Sequence, residues 1–212
     1  MTSFSRCVFV AAATAALLVG CGGHLAGPPA VSRPGGTPPS SRTAGTPADS
    51  RTVAKPAHAL GRSIPVGLRI PAIGVDTPLM RLGLAPDGSV QVPPIAAHDE
   101  AGWYRHSPTP GQKGPSVILG HVTVGAYGDG VFRHLARLRH GDRIVVRLEN
   151  GRSAVFAVST VRTVAKADFP ADAVYGDVDR PELRLITCGG PRSGDGYLDN
   201  VIVFAALSSA NP

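Results

Sequence analysis

The stretch PELRLITCGG, residues 181–190, alternates like a β-strand and stops at a thiol. Side chains on a strand point to opposite faces in turn, so Arg184, Ile186 and Cys188 share one face while Leu183, Leu185 and Thr187 share the other. Cys188 then meets Gly189 and Gly190, whose lack of side chains leaves room for a substrate backbone to approach. Seven further runs have a related texture: GLRIPAI, VDTPLM, SVQVP, SVILGHVT, DRIVVRL, SAVFAVSTVRTVA and NVIVFAAL, separated by Gly, Pro, Asn and Asp. Helical signals are few, the best being GVFRHLARL at 130–138, with a turn near ADAVYG. The pattern predicts an all-β fold of about eight strands with one or two short helices, in a closed barrel or a sandwich, since closure removes exposed strand edges. Residues 63–209 are long enough for one sizeable core.

The chain ahead of that body has a different composition. MTSFSR carries one arginine, CVFVAAATAALL is an apolar run well short of the ~20 residues that span a bilayer, and Leu18-Val19-Gly20-Cys21 follows. This is the layout of a secretory signal over residues 1–21. Its end resembles the lipobox of bacterial lipoproteins, which implies lipid attachment at Cys21; an ordinary cleaved signal or an uncleaved anchor is the alternative. Residues 22–62 are built from Gly, Pro, Ser, Thr and Ala with almost no large apolar side chain, and are expected to form a disordered tether. Each reading puts the body outside the cytoplasm, and the lipid-anchored one holds it at the outer face of the membrane.

Charge divides the same way. Residues 1–62 hold six Lys or Arg against one Asp, and the remainder holds fifteen against fourteen. Basicity therefore belongs to the tether, where it suits an anionic membrane or wall surface. A nucleic-acid binder would carry it on the folded body, so nucleic acid is not an expected partner.

Cysteine usage sharpens the question posed by the opening strand. Of three cysteines, Cys7 lies in the signal and Cys21 at its end, which leaves Cys188 as the sole cysteine of the body. An odd cysteine in an exported protein is an intermolecular partner, a buried small hydrophobe or a reactive thiol. A thiol suits acyl transfer to an amine, because the thioester reacts with amines and thiolate is a competent leaving group. His121 follows Val117-Ile118-Leu119-Gly120 at another strand end, and imidazole exchanges protons near neutral pH. Taken alone, His121 is equally readable as a rim histidine bonded to backbone. His24 and His58 fall in the tether, while His98, His106, His134 and His140 lie near turns or in the short helical stretch.

Three segments in order, SVILGHV at 116–122, LRLITCGG at 183–190 and GYLDNVIVFA at 196–205, resemble the catalytic core of a sortase. The run from Gly67 to Ala206 is similar to the class F sortases of actinobacteria. The resemblance implies an eight-stranded sortase-type β-barrel and a cysteine transpeptidase of the hydrolase class. Such an enzyme cuts an LPXTG-like sorting signal between Thr and Gly and passes the acyl group to an amine of a peptidoglycan precursor or another protein. It implies Cys188 as nucleophile and His121 as acid/base.

One position departs from the family. Most sortases place an arginine at the start of the last strand, and here Asn200 stands there. An asparagine amide donates a hydrogen bond to an oxyanion but brings no charge. Arg184, on the Cys188 face, is expected to supply that charge, with Asn200 helping to position the substrate; Arg192 is the weaker alternative. Trp103 is expected to pack against the barrel. Asp129, Asp177 and Asp179 lack the oxygen-ligand spacing of a calcium loop, so no metal or cofactor is expected. Competing readings are a noncatalytic β-barrel lipoprotein that binds cell-wall material and a cysteine hydrolase with water as acceptor.

Overall fold

A computed structural model describes residues 58–194 and 196–211; the expected signal, Cys21 and nearly all of the expected tether lie outside the described residues. The strands are β1 (Pro65–Ile70), β2 (Val75–Leu82), β3 (Ala101–Tyr104), β4 (Gly114–Leu119), β5 (Thr123–Val124), β6 (Gly128–Asp129), β7 (Arg143–Leu148), β8 (Ser153–Ala165), β9 (Pro181–Ser193) and β10 (Gly196–Asn211). Eight of them close a barrel in the order β1-β2-β3-β4-β9-β10-β8-β7, and β5 pairs with β6 as a separate ribbon. Two pairs, β2–β3 and β4–β9, are parallel, and the others in the barrel are antiparallel.

The count of eight barrel strands agrees with the sequence, but its membership differs. SVQVP forms only an isolated Leu84–Val90 bridge. Pro93 and Pro94 have no N–H to extend a ladder beyond it. The missing place is taken by β3, AGWY, whose Trp103 is buried in the barrel core and donates its indole N–H to the Pro108 carbonyl at 3.3 Å. SVILGHVT is two elements, β4 and β5, broken at Gly120-His121.

The helical signals also exchange roles. In GVFRHLARL, Phe132, Leu135 and Leu138 are all buried, and they recur every third residue. Three is the period of a 3-10 turn, and Leu135 and Leu138 donate to the carbonyls of Phe132 and Leu135 respectively. ADAVYG instead holds the α-helix α1 (Ala171–Tyr175), a single turn whose Val174 is fully buried.

Two apolar clusters result. The barrel interior contains Leu183 and Leu185 of β9, Val201, Val203 and Ala205 of β10, and Ile118 of β4 among others. A second cluster lies on the outer face of the same strands and joins Val117, Leu119, Ile186 and Ile202 to Val174 of α1. The alternation expected for 183–188 is thus realised, with both faces covered.

Candidate active site

Parallel pairing of β4 and β9 brings the end of β4 beside the interior of β9, which does not end at Cys188 as expected but runs on to Ser193 because β10 continues to pair with it. The register runs from Gly114 opposite Pro181 to Leu119 opposite Ile186, and Gly120 N–H continues it to the Ile186 carbonyl at 3.2 Å. His121 stands two residues beyond Leu119 and Cys188 two beyond Ile186, so neighbouring strands deliver imidazole and thiol at one end of the barrel. Both residues are half-buried.

Beyond Gly120 the chain turns under tight local constraints. Phe132 N–H donates to the His121 carbonyl at 2.8 Å and Gly130 N–H to that of Val122 at 3.0 Å. A Cβ at Gly130 would collide with the backbone of His121, so this closely packed crossing excludes any side chain there. On the other side, His121 Nε2 lies 2.7 Å from the buried Pro93 carbonyl. A carbonyl only accepts, so Nε2 carries the hydrogen in this bond. Pro93 left no trace in the sequence pattern, because its contribution is a backbone oxygen.

Asn200 pairs directly with Cys188 across β9 and β10, so their side chains share the outer face as cross-strand neighbours. The Asn200 side chain is 2% exposed, and its Oδ1 is buried without a hydrogen-bond partner. The opposite face at this level carries Thr187, whose Oγ1 is likewise buried and unbonded.

Gly189 and Gly190 answer to the neighbouring strand. A Cβ at Gly189 would lie 2.6 Å from Val201 Cγ2, and one at Gly190 would overlap the Asp199 carboxylate. Gly190 also has φ of 72°, at the register shift between Tyr197 and Asp199. A side chain at either glycine would therefore meet β10, while Gly190 itself is exposed.

Arg184 sits on the Cys188 face, as alternation requires, but is 3% exposed and densely bonded. Its Nη2 donates to Glu182 Oε2 at 2.6 Å, Nε to the Ala173 carbonyl of α1 at 3.2 Å, and Nη1 to the Leu183 carbonyl at 3.3 Å. The guanidinium also lies over the Phe204 ring, 4.6 Å from its centroid. Burial would raise the Glu182 carboxyl, but hydrogen bonds from Arg184 and then Arg180 hold it below the usual glutamate range. Arg192 is exposed in the β9–β10 hairpin and stacks on Tyr197 at 5.3 Å, while the Tyr197 hydroxyl bonds Thr123 Oγ1 of β5 at 2.7 Å. Asp129 and Asp179 pair with Arg133 and Lys113.

A thiol and an imidazole thus stand together where the parallel pair closes, and residues 68–208, which include both, match the Sortase domain family. This chain belongs to the sortase family. Its barrel is similar to solved sortases of several kinds. Listeria monocytogenes sortase A aligns with a TM-score of 0.52 and 14% identity, covering 71% of this chain and 90% of that chain. The SrtA sortase from Actinomyces oris gives 0.52 and 25% identity over 76% of this chain and 89% of that one. Sortase C-1 from Actinomyces oris gives 0.50 and 21% identity over 68% and 74%. No curated protein matches the chain. Sortases are cysteine transpeptidases that act on sorting-signal proteins and amine acceptors, generally at the cell surface. Among the described residues of this sortase no helix is long and apolar enough to cross a membrane.

Proposed function

We propose that this chain is a class F-type sortase, held at the outer face of the membrane by lipid on Cys21 and a tether over residues 22–62. In this reading the barrel domain of residues 63–209 cleaves an LPXTG-like signal and transfers the acyl group to an amine. The observation that supports it is the β4–β9 register, which sets His121, just past the end of β4, beside Cys188 of β9.

The chemistry then balances in two halves. The Cys188 thiolate attacks the Thr carbonyl carbon, and a tetrahedral oxyanion forms. The C–N bond breaks as His121 gives a proton to the departing Gly amine, leaving an acyl-thioester. An acceptor amine loses its proton to His121 as it attacks the thioester, and the thiolate leaves. Asn200, the cross-strand neighbour of Cys188, is the neutral donor assigned to the oxyanion. Arg184 acts at one remove: bound to Glu182 and the Ala173 carbonyl, it holds α1 against the strand that bears Cys188.

The test is to incubate the protein with an LPXTG-type peptide, with and without triglycine, beside Cys188→Ala and His121→Ala. The reading expects a triglycine-joined product from the wild type and loss of at least 10³ in each variant. Cleavage that ignores the amine identifies a hydrolase. Binding without cleavage identifies a noncatalytic wall-binding barrel.

A further inference from the structure

Charge is divided across the barrel. Residues 133–152 hold six arginines, no lysine and two acids, whereas residues 168–182 hold five acids and one arginine. The first segment packs Leu135 and Leu138 on the barrel core and continues through β7. The second contains α1, whose Val174 packs on the outer face of β4 and β9, and leads into β9. In the barrel, β2 and β3 separate the β1–β7 pair from the β4–β9 pair on one side, and β8 and β10 do so on the other. The two pairs are therefore opposite walls, one basic and one acidic.

On the basic wall, Arg143 and Arg147 are exposed on the outward face of β7, and Arg69 of β1, opposite Val145, stands diagonally between them. Diagonal neighbours of this kind are roughly 7–8 Å apart, within reach of long side chains. Arg137 and Arg139, exposed just ahead of β7, extend the row. The acids nearby are few. Asp76 bonds Arg147, Asp142 accepts the Arg139 backbone N–H at 2.7 Å, and Glu149 follows the far end of β7. Among the described residues Arg69, Arg137, Arg139 and Arg143 take part in no ion pair.

We infer that the β1–β7 wall, with the arginines that lead into it, docks on the anionic phosphodiester headgroups of the membrane. The inference goes beyond the peptide chemistry and rests only on the outer-face placement in the proposed function. The side chains select the ligand. A guanidinium aims parallel N–H donors at two oxygens of one phosphate and is more weakly hydrated than an ammonium, so a row made only of arginine suits phosphodiesters. Charge sets the orientation: an anionic plane attracts the arginine wall and repels Asp168, Asp172 and Asp177, which are exposed on the segment around α1. With the arginine wall on the bilayer, the β4–β9 wall and Cys188 face away from it.

The test measures co-sedimentation of the full chain with vesicles of phosphatidylcholine alone and of phosphatidylcholine mixed with phosphatidylglycerol. The wild type is compared with a triple variant, Arg137→Gln with Arg139→Gln and Arg143→Gln, and with a second, Asp168→Asn with Asp172→Asn and Asp177→Asn; circular dichroism checks the fold of each. All three proteins share one N-terminal segment, so its own charge cancels in the comparison. At about fivefold per arginine brought to an anionic surface, the arginine variant is expected to bind the phosphatidylglycerol vesicles roughly 10²-fold less, and added salt to erase the difference. The aspartate variant is expected to bind as well as the wild type or better. A further readout needs no variant: on anionic nanodiscs with a spin-labelled headgroup, the NMR amide signals of Arg69, Arg139 and Arg143 should broaden while those of Gly189 and Gly190 stay sharp. Neither readout uses the thiol, so docking without peptide transfer would keep this inference and overturn only the transfer reading. Three results would overturn the docking: vesicle binding that the arginine variant retains within twofold, broadening spread evenly around the barrel, or an arginine effect on a soluble glycerol-phosphate polymer but not on vesicles.

Discussion

The β4–β9 pair and the β1–β7 pair belong to one barrel yet face the outside differently. In β7 the burial alternates, with Arg143 and Arg147 exposed between buried Ile144, Val146 and Leu148. In β4 every residue is buried, and in β9 every residue from Pro181 to Thr187 is buried. An alternating strand has one face in water, whereas a strand closed on both faces needs a second layer. That layer is α1 with its flanking segments, and the half-buried Cys188 and His121 sit where it ends. The comparison teaches that a site on a barrel's outer wall requires outward residues able to live without water, even when they are charged.

The ion pairs of the two regions give the largest expected contrast. Arg184 and Glu182 are buried, so Arg184→Ala or Glu182→Gln should destabilise the fold by about 3–5 kcal/mol, because each leaves an unmatched polar group behind. Urea unfolding measures this. A loss near zero would mean that the outer layer does not depend on that pair.

Asn200→Ala is expected to fold and to lower transfer by roughly 10 to 10², through loss of a neutral donor beside Cys188. Steady-state kinetics with checked folding measures it; an unchanged rate would move the oxyanion contact elsewhere, with exposed Arg192 the next residue to substitute.

The third contrast is in pH. The folded Glu182 carboxyl lies below its ordinary value of about 4.3, so the pair's contribution is fully present above that value and disappears as pH falls through the folded one. The wild type should therefore lose stability over an acid range in which Glu182→Gln loses less. Parallel acid curves for the two would contradict the assignment.

The smallest effect belongs to the β1–β7 side. Arg147 bonds Asp76 at 2.8 Å, but both are largely exposed, and Asp76→Asn should cost under about 1 kcal/mol.

Much of this was legible in residues 181–190, because the strand's alternation carries its face assignment, although the two glycines do not end it and β9 continues to Ser193. Val117 to His121 was legible as an apolar strand stopped at Gly120, and β4 does end at Leu119. The β3 strand was not, since four residues of Ala, Gly, Trp and Tyr have no period of their own and are held by parallel pairing to β2. Alternation in SVQVP suggested a strand that the following prolines limit to a bridge. The partners of Arg184 were hidden as well. Alternation placed its face correctly, yet only the fold shows that Glu182, Phe204 and Ala173 converge on it. The hydrogen bond from His121 to Pro93 was hidden because backbone oxygens have no sequence signature.

The central claim is that the outward thiol of β9 takes up an acyl group, and mass spectrometry of the intact protein tests it most directly. After brief incubation with an LPXTG-type peptide and no added amine, the account predicts a species heavier by the acyl fragment ending in Thr. Fragmentation should place the added mass on Cys188, and triglycine should discharge it with a peptide product. Peptide cleaved with no adduct ever found on Cys188, or an adduct that triglycine leaves in place, would contradict the account.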